Sequence, residues 1–165
     1  MATYEAFLKN VDKYHIYEII ASEKVCLLNN TKLIKFNNDY RYDFKTSDKI
    51  KYEVKTDELS LKTNNLFIEF ESYKKPSGIS ASKAHYYIFS DTIDYYLIET
   101  QKLKEILYNI INERIVCTHD KLTFGFLLRK EVIFIQCEKN LIFHYYFINP
   151  FFNIFIIKQK FVSLN

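Results

Sequence analysis

The sequence predicts an α/β (α+β) protein with an N-terminal helix and a central mixed β-sheet. Three observations support this fold class. Apolar side chains recur at helical spacing over residues 3–22. Short segments rich in β-branched and aromatic residues, separated by polar turns, follow from residue 31 onward. A second helical stripe, over residues 100–113, comes after the fifth or sixth of these predicted strands.

The first helix is predicted from apolar residues at positions 4, 7, 8, 11, 14, 16, 19 and 20. Paired asparagines at 29–30 then mark a turn. Three strands follow as a meander, because the polar turns NND and SDK separate them. The three strands are TKLIKF (31–36), YRYDFKT (40–46) and IKYEVKTD (50–57).

The remainder alternates further strands with one strong helix. Residues 58–65, ELSLKTNN, have no clear period and are predicted to form a loop, and the Pro-Ser-Gly segment within 73–84 opens a short helix. Thr100 can cap the helix over 100–113, whose apolar stripe includes Leu103 and Leu107. Strands are predicted at 66–72, 85–90, 95–100, 124–129 and 131–138, and through the apolar segment 141–162.

Length and composition fit one globular domain of 165 residues. We expect a core over roughly 1–113 and a β-rich C-terminal extension over 114–165, which is a candidate interface. The net charge of +3 permits a nucleic-acid partner but does not require one. Three widely spaced cysteines show no metal-ligand pattern and indicate a reducing, intracellular location.

Two segments bear on secretion and membranes. The N-terminal MATYEAFLKN lacks the apolar stretch of a signal peptide, so we expect a protein that is not secreted. The apolar segment 140–157 is interrupted by His144, Asn149, Pro150 and Asn153, which are costly in a lipid-facing helix. We therefore expect this segment to form core or interface, and no membrane partner.

The strand around YEVKTD carries charges in an alternating pattern. Side chains two residues apart share a strand face, so Glu53 and Lys55 project to one side, with Asp57 following. A hairpin would bring Asp43 of the preceding strand opposite or diagonal to Glu53. Two close carboxylates repel and favour a divalent cation, and oxygen ligands favour Mg²⁺ or Mn²⁺. The neighbouring ammonium of Lys55 could hold water or neutralise developing charge at a phosphate.

These residues resemble the PD-(D/E)XK nuclease superfamily, in which a carboxylate precedes a Glu-x-Lys strand. The string YEVKTD…TNNLFIEFES…KPSGISASKAHYYIF is similar to small nucleases of phages and large DNA viruses. The resemblance covers roughly residues 40–107, and Tyr42 stands where the superfamily name has proline. It implies a restriction-endonuclease-like core and Mg²⁺-dependent hydrolysis of DNA.

The resemblance also implies roles for individual residues. Asp43 and Glu53 would bind the metal, with the backbone carbonyl of Val54, and Lys55 would be the catalytic lysine. Asp57 and Glu69 match additional acidic positions, and Ser77 and Gly78 match a loop that would contact phosphate. Many members of the superfamily add an acidic residue from the first helix, for which Glu18, on its inward face, is the candidate ahead of Glu5. Apart from the resemblance, Lys74, Lys75 and Lys83 flank the motif and are candidate phosphate contacts because of their charge.

The expected function is a metal-dependent endodeoxyribonuclease in viral or phage DNA replication, recombination or repair. Its partner would be DNA, in a branched or otherwise structured form, and a homodimer would supply one active site per strand. One rival is a non-catalytic nucleic-acid-binding or assembly protein that keeps a nuclease-like core. Another is an unrelated α/β interaction domain. The sequence leaves open DNA or RNA, endonucleolytic or exonucleolytic cutting, and one or two metal ions.

Overall fold

A computed structural model describes residues 4–37, 41–110, 115–119, 121–136 and 142–144. These residues form an N-terminal helix, a mixed β-sheet and further strands and helices, which confirms the expected α+β class. The segment 145–165, the C-terminal part of the expected interface region 114–165, lies outside the described residues.

The elements are short apart from the first helix. The helices are α1 (Tyr4–Asn29), α2 (Ser60–Thr63), α3 (Thr100–Ile110) and α4 (Lys130–Gln136), with a 3₁₀ turn at Gly78–Ser80. The strands are β1 (Leu33–Phe36), β2 (Phe44–Thr46), β3 (Lys51–Thr56), β4 (Asn65–Ser72), β5 (Lys75–Pro76), β6 (Tyr86–Ser90), β7 (Asp94–Glu99), β8 (Ile115–Cys117), β9 (Thr123–Arg129) and β10 (Ile142–His144).

The first sheet has the strand order β1-β2-β3-β6-β7-β10. Strands β1 to β3 form the predicted antiparallel meander, and β3 pairs with β6 in parallel, so the sheet is mixed. The parallel register places Glu53 beside Tyr87. The segment of β3 that carries Glu53 and Lys55 therefore lies in the middle of the sheet, with strands on both sides.

A second sheet, which the sequence did not predict, has the order β5-β4-β9-β8 and is antiparallel throughout. Strand β4 leaves the first sheet because α2 and the left-handed residue Asn64 redirect the chain before it. The two sheets are tied by a buried ion pair in which Nζ of Lys130, at the start of α4, lies 2.6 Å from Oδ2 of Asp91, after β6.

Two apolar cores fix the orientation of β3. Tyr52 and Val54 pack with Phe44 against α1. The opposite core, between the two sheets and α3, includes Leu66 and Tyr87. Because side chains alternate along a strand, Glu53 and Lys55 project from β3 on the side away from α1, towards the second sheet.

Several predicted elements differ from the structure. Residues 131–138 were expected as a strand, but Lys130–Gln136 is helical, because Ile133 packs into the inter-sheet core while Lys130 pairs with Asp91. Helix α1 extends to Asn29 instead of ending near residue 22, and the expected loop at 58–65 contains α2.

The N-cap predicted for the helix over 100–113, which is α3 in the structure, is absent. Thr100 is itself helical, and its buried hydroxyl has no hydrogen-bond partner in the part of the chain that the structure describes. Its backbone N–H donates to the carbonyl of His85, so the residue before β6 supplies an acceptor at this helix end. Within the described ranges, no helix has the length and apolar character needed to cross a membrane.

Candidate active site

Asp43 lies immediately before β2 and is held against β3 by two hydrogen bonds. Its backbone N–H donates to the carbonyl of Tyr52 at 2.9 Å. Its Oδ2 accepts a hydrogen bond from the backbone N–H of Val54 at 2.6 Å. That N–H lies beyond the end of β2, where the sheet provides no carbonyl, and the Asp43 side chain takes the place of a strand partner. The carboxylate is thereby fixed next to Val54 and Glu53.

Glu53 and Lys55 form an ion pair on one face of β3. Nζ of Lys55 lies 2.6 Å from Oε1 of Glu53. Glu53 is only 3% exposed, whereas the side chain of Lys55 is 44% exposed. The second oxygen of Glu53, Oε2, is buried and has no hydrogen-bond partner among the described residues. One half of this carboxylate is therefore neutralised by Lys55, and the other half is available to a ligand.

The environment opposes full ionisation of the two carboxyl groups. Burial, followed by the negative charge of Glu53, raises the pKa of Asp43 to about 7, although Lys55 and the Val54 N–H act in the opposite direction. Burial also raises the pKa of Glu53, against the lowering effect of Lys55. The ammonium of Lys55 is one positive charge beside two carboxyl groups, and a cation would supply the compensating charge that the second group lacks.

Lys55 is held in its charged form. Burial alone would lower its pKa, but the charges of Glu53 and Asp43 outweigh that effect and raise it. In this environment the side chain is an ammonium at neutral pH, and it can donate hydrogen bonds but cannot accept a proton.

Two of the expected auxiliary acidic residues lie close enough to influence the pair. The negative charges of Glu18, on α1, and Glu69, on β4, both contribute to the raised pKa of Glu53. Glu18 also contacts His15, with 2.9 Å between its Oε2 and Nδ1. Two elements distant in sequence, α1 and β4, thus bring acidic side chains towards β3.

Asp57 has a different position. Its Oδ1 accepts a hydrogen bond from the backbone N–H of Ser60 at 3.1 Å, and its Oδ2 accepts one from the N–H of Phe67 at 3.1 Å. Both oxygens are therefore engaged by backbone donors that connect the end of β3 to α2 and β4. These contacts give Asp57 a structural role in the fold.

Gly78 belongs to the loop predicted to contact phosphate, and a side chain at this position would be excluded by steric clash. Its φ is +47°, and a Cβ atom there would lie 2.2 Å from the carbonyl oxygen of Glu69. The preceding Ser77 donates its N–H to the carbonyl of Phe70 at 3.0 Å. The loop is therefore packed directly on β4, beside Glu69.

The three predicted phosphate-contacting lysines are exposed and lie on two loops. Lys74 is in the turn between β4 and β5, with a positive φ of 61°, and Lys75 is the first residue of β5. Lys83 precedes β6, and its backbone N–H donates to the carbonyl of Arg41. Their contact with phosphate stays a prediction.

Tyr87 is a site residue that the sequence reasoning missed. It lies on β6 beside Glu53, and its hydroxyl is buried without a hydrogen-bond partner in the described ranges. Burial raises its pKa, so the hydroxyl stays neutral. The alternating HYYIFS segment shows that one tyrosine faces each side, but only the parallel register identifies Tyr87 as the neighbour of Glu53.

A cleft of about 520 Å³ opens between the two sheets, directly beside this cluster. Lys55 and Tyr87 line it from the first sheet, and Glu69 lines it from the second. Asp57 and Gly78 also contribute to its walls. The exposed side of Lys55 therefore faces a space large enough for part of a substrate.

The donor set fits Mg²⁺ or Mn²⁺ better than a softer metal. The side-chain donors at the cluster are carboxylate oxygens, and the buried Oε2 of Glu53 lacks a partner within the described part of the chain. No group of three or more His, Cys, Asp or Glu side chains suited to a metal occurs in the described ranges. A cation here would be bound by Asp43 and Glu53, with backbone and water oxygens completing its coordination.

Comparison with known proteins gives no relative from which a role could be transferred. No family model, no curated protein and no solved structure matches the chain at a significant level.

Proposed function

We propose that the chain is a Mg²⁺- or Mn²⁺-dependent endonuclease of the PD-(D/E)XK type that hydrolyses phosphodiester bonds of DNA. The observation that carries the proposal is the pair of carboxyl groups of Asp43 and Glu53, both with raised pKa, beside the Lys55 ammonium. A purely structural ion pair would not need a second acidic group beside it. It would also not leave Oε2 of Glu53 buried without a partner among the described residues.

The topology around the cluster also supports this proposal. A helix, a β2–β3 hairpin and the parallel pairing of β3 with β6 are the elements that a restriction-endonuclease-like core requires. The matched residues Asp43, Glu53 and Lys55 lie together at the hairpin, and Lys55 lines the inter-sheet cleft.

Each residue then has a distinct chemical role. Asp43 and Glu53 would hold the divalent cation, which supplies Lewis-acid polarisation of a phosphate oxygen and lowers the pKa of a bound water. Lys55 donates hydrogen bonds to the attacking water or to a non-bridging phosphate oxygen and stabilises the negative charge that develops there. Because its pKa is raised, Lys55 orients the water and does not remove its proton.

The biological setting belongs to the same proposal. The resemblance to viral and phage nucleases favours an intracellular role in DNA replication, recombination or repair, on branched or otherwise structured DNA. A homodimer would provide two active sites for the two strands.

A cleavage assay tests the proposal. Wild-type protein is incubated with supercoiled plasmid and with a four-way DNA junction in Mg²⁺, Mn²⁺ or EDTA. We expect cleavage with either metal, none in EDTA, and a loss of at least about 100-fold in Lys55→Ala and Glu53→Gln. Lys51→Ala is the matched control, because Lys51 lies on the same strand, outside the cluster.

The outcomes separate the rival functions. Equal cleavage by the wild type and Lys55→Ala would show that the site is wrong or that a contaminant cuts the DNA. DNA binding without cleavage of any substrate would favour the non-catalytic binding protein.

A further inference from the structure

We propose that the cleft between the two sheets binds an unpaired nucleobase of the nucleic acid that lies across Lys55. This inference rests on the proposed nuclease function and specifies its substrate: DNA with at least one unpaired nucleotide at the cutting site, such as a bulge, flap or junction.

The dimensions and position of the cleft support a base as the occupant. Its volume of about 520 Å³ is within the usual range for small-molecule sites and leaves room for a base with part of its sugar. Lys55 lines the cleft and pairs with Glu53 of the proposed metal site. A nucleotide whose phosphate contacts Lys55 could therefore place its base in the cleft.

The walls have the chemistry of a base-stacking site. The first sheet contributes Tyr87 and Phe89 to the lining, but their rings are buried in the core and stack on each other with centroids 5.7 Å apart. The second sheet contributes the partly exposed side chains of Phe67 and Leu127, and the Phe67 ring is the one on which a base can stack. Aromatic rings bind any base through its π-face, and this stacking is a main source of affinity for single strands.

Phe67 is placed by the residue beneath it. A Cβ atom added to Gly125 would lie 2.5 Å from the Phe67 ring, so the ring covers bare backbone of the neighbouring strand β9. Glu69 on the same wall offers a carboxylate that can accept hydrogen bonds from a base amino group. The cleft therefore combines stacking surfaces with a polar group.

The position of the cleft explains why the base must be unpaired. The lining residues come from both sheets and form a cleft in the protein, so a base enters it only when the base has left its own stack. The cost of unstacking is least where the base has no partner, which makes bulges, flaps and junctions the preferred substrates.

The test compares two DNA duplexes that differ in one group. Each carries a one-nucleotide bulge, with a base in one duplex and an abasic residue in the other. Binding of the full chain is measured with Ca²⁺ in place of Mg²⁺. We expect the wild type to bind the duplex with the base about tenfold or more tightly than the abasic duplex.

Two variants remove this preference by different routes. Val116→Trp fills the cleft from the partly exposed strand β8, and Phe67→Leu keeps an apolar side chain but removes the stacking ring. In both, the affinity ratio of the two duplexes should fall to within about twofold of one. Ile115→Trp is the matched control, because Ile115 is on the same strand, is 50% exposed and does not line the cleft. Thermal denaturation of each variant checks that it folds.

The outcomes distinguish this inference from the proposed function. Three results would overturn the base site. The first is about equal affinity of the wild type for both duplexes, and the second is no binding of DNA. The third is that both folded cleft variants keep the wild-type preference for the duplex with the base. Cleavage without base-dependent binding would overturn the cleft inference and leave the nuclease proposal intact. Base-dependent binding without cleavage would support the cleft and reject the nuclease.

Discussion

Nζ of Lys55 lies 2.6 Å from one oxygen of Glu53, while the other oxygen of that carboxylate is buried with no partner among the residues described. Burying a carboxylate with an incomplete set of partners is unfavourable for folding. The sequence keeps this arrangement next to a second acidic group, Asp43, whose pKa is also raised. Such a local cost to stability is typical of a functional site.

The Lys55–Glu53 pair predicts a stability effect. Lys55→Met should lower the free energy of unfolding at pH 7 by about 1–3 kcal/mol, because Glu53 is left buried without its counter-charge. The effect is smaller than for a fully buried pair, since Lys55 is 44% exposed. Urea denaturation measures it.

A double variant provides the internal check. Glu53→Gln with Lys55→Met should recover most of the loss, because neither charge then remains unpaired. Lys51→Met serves as the single-site control on the same strand. If Lys55→Met is as stable as the wild type, Lys55 does not compensate the buried charge of Glu53.

Asp43→Asn should stabilise the protein in a pH-dependent way when no divalent cation is present. The carboxyl group titrates at about 7 when folded and near 4 when unfolded, so the folded state holds more protons between these values. Wild-type stability should therefore fall, relative to the variant, from about pH 4 to pH 7 and then level off. The difference at pH 8 should be about 4 kcal/mol, the free-energy equivalent of a pKa that moves from near 4 to about 7.

Denaturation series at pH 4, 5.5, 7 and 8.5 measure this difference. Asparagine keeps an oxygen acceptor for the Val54 N–H, so the variant removes the charge and not the hydrogen bond. A difference in stability that does not change with pH would show that the pKa of Asp43 in the folded protein is the same as in the unfolded chain.

Divalent cations should stabilise the wild type against heat. At a concentration 100 times its dissociation constant, Mg²⁺ or Mn²⁺ should contribute about 2.7 kcal/mol. The shift should be larger at pH 8 than at pH 5.5, because binding displaces protons from Asp43 and Glu53. It should be lost in Asp43→Asn and retained in Glu71→Gln. If the cation stabilises both variants against heat to the same extent, it does not bind at Asp43.

Substitution of Asp57 should lower stability, whereas substitution of Glu69 should lower cleavage activity. Asp57→Ala removes the acceptor of two backbone N–H groups and should cost about 1–3 kcal/mol of stability. Glu69→Gln should change stability by less than about 0.5 kcal/mol but reduce cleavage, since Glu69 faces the cleft beside Glu53. Denaturation and cleavage measured on both variants decide between these roles. A cleavage defect in Asp57→Ala without destabilisation would assign Asp57 to the site instead.

Gly78→Ala should destabilise the protein by about 2 kcal/mol or more. The new methyl group would collide with the Glu69 carbonyl, and the backbone is in a left-handed conformation. Thermal denaturation measures the loss. Ser77→Ala is the control and should leave stability unchanged, while weaker DNA binding by that variant would support the predicted phosphate contact. Unchanged stability in Gly78→Ala would show that the loop does not pack closely on β4.

Local patterns predicted the elements that lie near one another in sequence. The meander of β1 to β3 follows from polar turns between alternating segments, and it brings Asp43 beside Val54 across a single hairpin. The segment 131–138 was mistaken for a strand, because a short apolar run fits both structures. Its helix depends on the packing of Ile133 and on the pairing of Lys130 with Asp91, 39 residues earlier.

The sequence by itself determined the fold class, the hairpin and the shared face of Glu53 and Lys55, because each depends on spacing within a few residues. Tertiary structure decided which distant groups join them. The parallel register placed Tyr87 next to Glu53, the second sheet carried Glu69 towards the cluster, and backbone donors engaged Asp57. Burial, which raises the pKa of Asp43, likewise arises only when both sheets and α1 are assembled.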